Sequence, residues 1–475
     1  GRDPDGEEAA DRRGRWLIYS GATETLASFA EATGIPVGQS QAGKGSLPYD
    51  HPQSVGAIGS TGTTAANALA TEADVIIGIG TRYSDFTTAS RTAFNNPDVR
   101  FVNINVASID SVKQGGVSVV ADAREALEAL AVALRDYQVS GEYRSRTTEL
   151  ADHWESTVDA VYKIDDDSLG LNQNQVIGLA NTLSDPRDVV VCAAGSMPGD
   201  LHKLWRTRDP KGYHVEYGFS CMATRLPAAS APRWPAPDRD VFIMVGDGSY
   251  LMMATELVTA VQENVKVIVV LVQNHGFASI GSLSESLGSQ RFGTDYRYRG
   301  DSGRLDGDIL PVDLAANAAS LGADVIRANT ASEFADAVKL AKASDNTTVI
   351  HVETDPPASR PPRTANPGGT CRSARPARST PPGPPTRRTR SGRRSSVRSS
   401  ARPATDPSDT LSRKEFPMSV IRVGSAPRLL GASGSPEDPP ADPVRSVPRR
   451  GLRIRLRVDR AGAVRLPAHR PAATP

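Results

Sequence analysis

Two short polar segments, each directly after a run of apolar residues, carry the chemistry that this sequence offers. Asp247 lies between two glycines after the apolar run 240–245, and Asn274 follows the run 265–272, 27 residues further on. If both runs are neighbouring parallel strands, the Asp247 carboxylate, the Asn274 amide oxygen and the Gly276 carbonyl meet at one sheet edge. Such oxygens suit a hard cation such as Mg²⁺, which also takes phosphate oxygens as ligands. The bare backbone N–H groups of the glycines suit the phosphate itself. A Gly-Asp-Gly turn alone is usually structural, so this prediction depends on the pairing with Asn274.

Two other glycine-rich segments are weaker candidates for phosphate binding. Residues 38–45 approach a P-loop, but Gly45 stands where Ser or Thr should bind magnesium, and Pro48 follows where a helix should continue. Residues 78–80 (GIG) resemble a fragment of a dinucleotide fingerprint, for which a structural turn is the favoured interpretation. The segments around Asp247 and Asn274 therefore remain the main candidate site.

The elements that must position these residues follow an alternating pattern of strands and helices. Strands are predicted over residues 16–19, 35–37, 74–79, 99–104, 188–193, 240–245, 265–272 and 348–352. Helices are predicted over residues 23–33, 123–134, 251–263 and 331–343. This order predicts an α/β fold with two tandem doubly wound parallel-sheet domains. The predicted boundaries are a disordered segment 1–15, a central domain 16–136, a linker 137–170, a second domain 171–355 and a disordered tail 356–475.

The composition divides the chain near residue 355. The 475 residues have a net charge of +1, but the tail alone holds 25 Lys and Arg against 7 Asp and Glu, and 22 of the 35 prolines. Clustered arginines are compatible with a nucleic-acid-binding arm. The few lysines, the few aromatic residues and the abrupt start instead favour a disordered, non-native tail without nucleic-acid binding.

Other features of the composition concern the compartment. Apolar runs are too short for a membrane span, and residues 1–15 are charged rather than signal-like. Three widely spaced cysteines give no disulfide framework and no metal-ligand pairing. A cytoplasmic protein without membrane partners is predicted.

Five segments resemble a single enzyme family. They are 43–52 (GKGSLPYDHP), 84–91 (SDFTTASR), 193–205 (AAGSMPGDLHKLW), 209–222 (DPKGYHVEYGFSCM) and 274–285 (NHGFASIGSLSE). Together with the pairing of Asp247 and Asn274, which is typical of thiamine-diphosphate enzymes, these segments are similar to the hydrolases that open the ring of 3D-(3,5/4)-trihydroxycyclohexane-1,2-dione in myo-inositol catabolism. The resemblance covers about residues 16–355. It implies that 16–136 is the central domain of such an enzyme and 171–355 its cofactor-binding domain.

The resemblance also implies a cofactor, a metal and a reaction. Thiamine diphosphate and Mg²⁺ are the expected cofactors, with Asp247, Asn274 and the Gly276 carbonyl as metal ligands. The expected cofactor-binding residues are Ser196, Met197, Met222, Gly246, Asp247, Gly248, Ser249, Asn274, Gly276 and Phe277. His275 and His202 are candidates for substrate binding or proton transfer, although a packed or surface histidine is the commoner role for either. The expected reaction is hydrolytic ring opening of the cyclic dione to 5-deoxy-D-glucuronate.

Two other outcomes stay open at this point. An acetolactate-synthase-like carboligase or decarboxylase would share the magnesium motif, and a chain that binds nothing is the third possibility. Intact family members are expected to form homodimers or homotetramers. Product analysis with pyruvate and with the cyclic dione as alternative substrates distinguishes the two enzyme classes. Calorimetry with cofactor and Mg²⁺ distinguishes both from a chain that binds nothing.

Three departures from the family pattern accompany the resemblance. Family members begin with a pyrimidine-binding domain whose glutamate activates the cofactor, and no match to that domain precedes residue 16. Residues 223–236 are rich in Pro, Arg, Ala and Ser where the family has a glycine-rich helix start. Residues 418–427 resemble the start of inosose dehydratase, which catalyses a neighbouring step of the pathway. We interpret the chain as a fragment with reading-frame shifts at about 223–236 and after 355, inactive on its own.

Overall fold

The computed structural model describes residues 16–165, 170–192, 194–215, 221–222, 238–288 and 291–354, together with the residue pairs 457–458 and 464–465. The predictions for residues 1–15, for 223–236 and for nearly all of the tail lie outside these residues. No helix in the described part of the chain has the length and apolar character that a bilayer span needs.

The described residues form thirteen α-helices and thirteen short strands. The helices are α1 Trp16–Tyr19, α2 Thr23–Thr33, α3 Thr64–Glu72, α4 Ser108–Ser111, α5 Ala123–Ala133, α6 Gly141–Tyr162, α7 Gln173–Leu183, α8 Met197–Leu204, α9 Asp247–Met253, α10 Glu256–Gln262, α11 Ala278–Ser286, α12 Leu314–Ser320 and α13 Ala331–Ala343. The strands are β1 Val37–Gln39, β2 Ser54–Ala57, β3 Val75–Ile79, β4 Arg100–Asn105, β5 Val117–Val120, β6 Val189–Cys192, β7 Tyr213–Val215, β8 Val241–Gly246, β9 Ile268–Gln273, β10 Asp324–Arg327, β11 Thr348–Glu353, β12 Arg457–Val458 and β13 Val464–Arg465.

A six-stranded parallel sheet organises the second half of the described chain. Its strand order is β10-β11-β9-β8-β6-β7, and all five pairings are parallel. Every residue of β9 is buried, and alternate side chains of β8 and β9 enter two different hydrophobic clusters. The near-continuous Val and Ile runs of these strands are the composition that burial on both sheet faces requires.

The first half of the chain contains two smaller parallel sheets. Strands β3, β4 and β5 form one, and β1 and β2 form the other. Helices α2 and α5 pack together over a cluster that includes Leu26, Phe29 and Leu127. The predicted α/β class with parallel sheets is therefore confirmed.

Two local predictions are wrong. Residues 16–19, predicted as a strand, form helix α1, because four apolar residues have the same pattern in a buried strand and in one helical turn. The predicted helix 251–263 is instead two helices, α9 and α10, which begin at Asp247 and Glu256.

The segment predicted as a linker contains the longest helix of the described chain. Helix α6 packs on α3, α7 and β2, and its Trp154 and Val158 enter the cluster that lies against the six-stranded sheet. Residues of the first half, among them Val55 and Leu69, belong to the same cluster. Both halves of residues 16–354 consequently contribute to one hydrophobic core across the predicted boundary.

Strands β12 and β13 pair antiparallel through two residues each. They belong to a second compact unit, residues 376–475, and the helices and large sheets belong to the first, residues 1–375.

Candidate cofactor site

The carboxyl ends of β8 and β9 bring the two polar segments together. The strands pair in register, with Gly246 opposite Val272, so the residues that follow each strand emerge at the same sheet edge. The Asn274 backbone N–H donates to Asp247 Oδ2 at 3.0 Å, and the Gly276 N–H donates to the same oxygen at 3.1 Å. The structure therefore joins three of the sequence-predicted residues directly.

Asp247 is a buried carboxylate whose contacts are backbone donors. Its residue is 1% exposed, and Oδ1 accepts from the Gly248 N–H at 2.7 Å. Burial raises the pKa of Asp247, and N–H groups of Gly248, Gly276 and neighbouring residues oppose this rise. No cationic side chain of the described residues forms an ion pair with Asp247, whose recorded hydrogen bonds come from backbone N–H groups, so a bound cation would compensate the buried charge.

The Asn274 side chain carries an unpaired hydrogen-bond acceptor. Its Oδ1 is buried and has no hydrogen-bond partner among the described residues. A buried unpaired acceptor is costly unless a ligand satisfies it. Beside the Asp247 carboxylate, this oxygen fits a hard cation that takes one carboxylate, one amide oxygen and further oxygens from a phosphate ligand. The described residues contain no cluster of three or more His, Cys, Asp or Glu that could hold a metal alone, so a ligand would have to supply the other donors.

Close packing fixes the backbone after Asn274. A Cβ on Gly276 would lie 2.2 Å from the Thr294 carbonyl oxygen, which is why this position needs glycine. The Phe277 N–H donates to that oxygen at 2.6 Å, and Gly276 forms an isolated bridge with Asp295. Residues 294–296 thus pack against the loop that carries Gly276 and hold it beside Asp247, which follows β8.

A small aromatic wall covers the start of α9. The rings of Phe277 and Tyr296 pack edge to face at a centroid distance of 5.8 Å. A Cβ on Gly248 would lie 2.8 Å from the Phe277 ring. The Tyr296 hydroxyl is buried and has no hydrogen-bond partner among the described residues, and burial, with a smaller effect of Asp247, raises its pKa. Sequence reasoning missed Tyr296 because it belongs to no strand, helix or spacing pattern.

The segment after β6 lies next to the same edge. Ser249 Oγ donates to the Ala194 carbonyl at 3.1 Å, which joins α9 to this segment. Ser196 precedes α8, and its Oγ donates to Gln173 Oε1 at 3.1 Å. Met197 opens α8 and is buried. Gln173, at the start of α7, is a second residue that sequence reasoning missed.

Met222 is half-buried, and its neighbour Cys221 accepts a backbone hydrogen bond from Ala194 at 3.4 Å. This contact places the segment of Met222 beside the loop that follows β6. Of the predicted cofactor residues, Met222 has the fewest described neighbours along the chain, because 216–220 and 223–237 lie outside the described residues.

The two candidate histidines occupy different surroundings. His275 adopts a left-handed backbone conformation (φ 60°), and its Nε2 lies 2.7 Å from Glu353 Oε1. Its Nδ1 lies 3.3 Å from Gln273 Nε2, and Gln273 Oε1 is in turn 2.7 Å from His351 Nε2. Glu353 ends β11, which pairs with β9, so the His275 ring is held at the same sheet edge as Asp247.

His202 lies elsewhere, inside the contact between α8 and the first half of the chain. Its Nδ1 is 2.8 Å from Thr61 Oγ1 and its Nε2 is 3.0 Å from the Gln39 carbonyl. Burial lowers its pKa to about 3, with a smaller effect of Lys44. Both ring nitrogens are engaged and the ring is neutral at pH 7, so the structure does not support His202 as a proton-transfer group.

Two separate parts of the chain match known protein families. Residues 13–130 match the thiamine pyrophosphate enzyme central domain, and residues 193–352 match the thiamine pyrophosphate enzyme C-terminal TPP binding domain. Thiamine pyrophosphate is another name for thiamine diphosphate. The chain belongs to the thiamine pyrophosphate enzymes.

Particular relatives are similar over most of the described residues. The chain is 41% identical over 367 residues to 3D-(3,5/4)-trihydroxycyclohexane-1,2-dione hydrolase 2 of Bacillus cereus. It is 41% identical over 370 residues to the 3D-(3,5/4)-trihydroxycyclohexane-1,2-dione hydrolase of Bacillus thuringiensis (strain Al Hakam), and 40% identical over 367 residues to that of Bacillus anthracis. Each match covers 72% of this chain, which spans 57% of the length of these relatives.

Proposed function

We propose that the chain binds thiamine diphosphate through Mg²⁺ and belongs to a hydrolase that opens the ring of 3D-(3,5/4)-trihydroxycyclohexane-1,2-dione. The observation that carries the cofactor part is the buried, uncompensated Asp247 carboxylate beside the unpaired Asn274 oxygen. The names of the relatives support the substrate.

In this proposal Asp247, Asn274 Oδ1 and the Gly276 carbonyl hold the cation, and the cation holds the diphosphate. The residues proposed to surround the cofactor are Ser196, Met197, Met222, Gly246, Gly248, Ser249 and Phe277. Thiamine diphosphate supplies an electron sink for breaking a C–C bond next to a ketone, and the protein supplies orientation and electrostatics. The glycines around Asp247 and Asn274 keep the backbone bare where a phosphate group must approach closely.

His275 is the remaining candidate for proton transfer or substrate binding. The Glu353 carboxylate orients its ring and leaves the side chain 13% exposed at the cofactor edge. We propose that the pair transfers protons to or from the hydroxyl or carbonyl groups of the cyclic substrate, because a histidine held in place by a carboxylate is a common general acid or base.

A homo-oligomer is proposed on the basis of apolar side chains beside the site. Helices α9 and α11, which begin at the site, and the segment after α11 expose large apolar residues: Leu251, Met252, Ile280, Leu283, Leu287 and Phe292. Leu287 and Phe292 are 88% and 71% exposed. A protein surface of this kind is usually covered by another polypeptide. Sedimentation velocity with the full chain tests this proposal, and a monomer at every concentration would contradict it.

The experiment for the function has two stages, because binding and turnover can fail separately. Isothermal calorimetry with thiamine diphosphate should show saturable binding in Mg²⁺ that is lost in EDTA. The full chain, alone and with the N-terminal part of the Bacillus cereus relative added, is then incubated with the cyclic dione or with pyruvate. A product heavier than the dione by one water supports the hydrolase, a carboligation product from pyruvate supports the carboligase instead, and binding of no cofactor at all would overturn the proposal.

A further inference from the structure

A cavity of about 180 Å³ lies between the β1–β2 connection, helix α6 and the segment after α8. Its walls include the apolar side chains of Leu47, Val55, Trp154, Leu204 and Trp205. None of the proposed cofactor-binding residues lines it. It is therefore a separate feature from the edge that carries Asp247.

Lys44 brings a buried positive charge to this cavity. Its Nζ donates to the His202 carbonyl at 2.9 Å and lies 5.8 Å from the centre of the Tyr213 ring. No carboxylate of the described residues forms an ion pair with it, although Glu155 acts on it through space. Burial lowers its pKa to about 8, which leaves the amine mostly protonated at pH 7. An ammonium group has three donors, and the His202 carbonyl takes one of them.

One further donor in the same cavity, the Thr207 hydroxyl, has no acceptor in the described part of the chain. Thr207 is 3% exposed, and its buried hydroxyl has no hydrogen-bond partner among the described residues. His51 Nδ1 accepts from the Gln53 N–H at 3.2 Å, so Nε2 carries the proton. That Nε2 lies 3.4 Å from Glu31 Oε1, and Glu31 does not line the cavity, so His51 is directed toward an acceptor outside it.

Other charged groups of both signs also line the cavity, namely Lys203 and Arg206 with Asp50, Asp152 and Glu155. Arg206 donates to Glu155 at 2.8 Å and to Asp159 at 2.6 Å, so this guanidinium is fully paired with carboxylates and has no charge left for another anion. Asp50 and Asp152 also line the cavity but are exposed to solvent. The Lys44 ammonium, which has no ion-pair partner among the described residues, and the unpaired Thr207 hydroxyl thus belong to residues that line the same cavity, and buried donors of this kind are normally satisfied.

We propose that this cavity binds a small oxyanion, a short-chain carboxylate or inorganic phosphate, through Lys44 and Thr207. The cavity is smaller than those that enclose drug-sized ligands, which restricts the anion to a few heavy atoms. The site is independent of the proposed cofactor function, since it shares no residue with it and can be measured without thiamine diphosphate.

The first test uses intrinsic fluorescence, because two of the four tryptophans, Trp154 and Trp205, line the cavity. The full chain is titrated with acetate, with phosphate and with acetamide, a neutral molecule of the shape of acetate, at constant ionic strength in chloride. A saturable change with acetate or phosphate, absent with acetamide, supports the proposal. Equal responses to acetate and acetamide, or no saturable response to either anion, would overturn it.

The second test assigns the anion to Lys44. Lys44→Met removes the charge at nearly constant volume and should weaken anion binding at least tenfold, whereas Lys339→Met, on the exposed face of α13, should leave it unchanged. If circular dichroism shows that Lys44→Met does not fold, Thr207→Val, which removes only the hydroxyl, should still weaken binding severalfold. Undiminished affinity in whichever variant folds would refute the site.

Discussion

At the scale of single residues, the free-energy cost of burying Asp247 is the most informative property of the site. The Asp247 carboxylate is held by backbone N–H groups and is buried without a cationic side chain. Burial destabilises its charged form and therefore raises its pKa. A bound divalent cation would remove that cost. Cofactor binding and metal binding should therefore be tightly coupled.

We predict that Asp247→Asn weakens Mg²⁺-dependent binding of thiamine diphosphate by more than tenfold, or about 1.4 kcal/mol, because a charged ligand of the cation is lost. Calorimetry with the full chain measures the change. Asp336→Asn, which alters an exposed aspartate of α13, is the control and should bind normally. Unaltered cofactor affinity in Asp247→Asn would contradict the assignment of the metal site.

His202 gives a prediction about pH. Its pKa is lowered to about 3 in the folded chain, against an ordinary value of 6.5, so the unfolded chain binds a proton more readily between these values. Stability from neutral His202 is fully present above pH 6.5 and is lost as pH falls toward 3. His202→Gln should thus lower the free energy of unfolding most at pH 7 and less at pH 4. Urea unfolding at both pH values measures this, and His153→Gln, at an exposed histidine of α6, should show no such trend.

At the scale of elements, the site lies at strand ends and in the loops that follow them, and one close contact fixes the loop after β9. The Gly276 backbone approaches Thr294 so closely that a methyl group would clash with a carbonyl oxygen 2.2 Å away. We predict that Gly276→Ala displaces this loop and abolishes cofactor binding in calorimetry. Gly141→Ala, where a Cβ meets no atom within 4 Å, is the matched control. Normal binding by Gly276→Ala would show that the loop can move without loss of the site.

Helix α13 is attached to the opposite end of the six-stranded sheet by Lys342. Its Nζ lies 2.6 Å from Asp188 and 2.7 Å from Asp185, and also 3.6 Å from Asp240 before β8. Lys342→Met leaves the buried Asp188 carboxylate without its partner, so we predict a loss of about 2–4 kcal/mol in the free energy of unfolding. Lys339→Met, one turn earlier in an exposed pair with Asp336, should cost less than about 1 kcal/mol. Chemical denaturation distinguishes the two, and equal losses would contradict this explanation.

At the scale of the whole molecule, the two halves of the described chain share a core. Leu69 of α3 and Trp154 of α6 belong to the same cluster as Ile350 of β11. Hydrogen bonds cross the same contact, among them Gln41 Nε2 to the Pro198 carbonyl at 2.7 Å. The two halves are consequently expected to unfold together.

We predict a single calorimetric transition for residues 16–354 in the full chain. Leu69→Ala should lower the midpoint temperature of the whole transition, because it opens a cavity in the shared core. The expected loss in the free energy of unfolding is about 2–5 kcal/mol. Leu127→Ala, in the separate cluster under α2 and α5, tests whether the first half responds differently. Two resolved transitions, with Leu69→Ala affecting one of them, would show that the halves are energetically separate.

The strands of the large sheet and the order of its two polar loops were predictable from sequence alone. Runs such as 265–272 are too apolar and β-branched to be anything but buried, and a 27-residue separation between Asp247 and Asn274 suits adjacent parallel strands. The same local signals place Ala331–Ala343 as a helix, with a capping box from Thr330 and Glu333 at its start. The family resemblance depended on such local motifs and is borne out by the relatives.

Contacts between distant segments were decided by the tertiary structure. Nothing in the sequence near His202 shows that Thr61 and Gln39 occupy both of its ring nitrogens, because those partners lie more than 140 residues away. Tyr296 and Thr294 reach the site through a loop without periodicity, and Trp16–Tyr19 is helical although its composition suits a strand. Local sequence patterns determine which residues can be buried, whereas the partner that each buried polar group finds depends on how separate segments pack together.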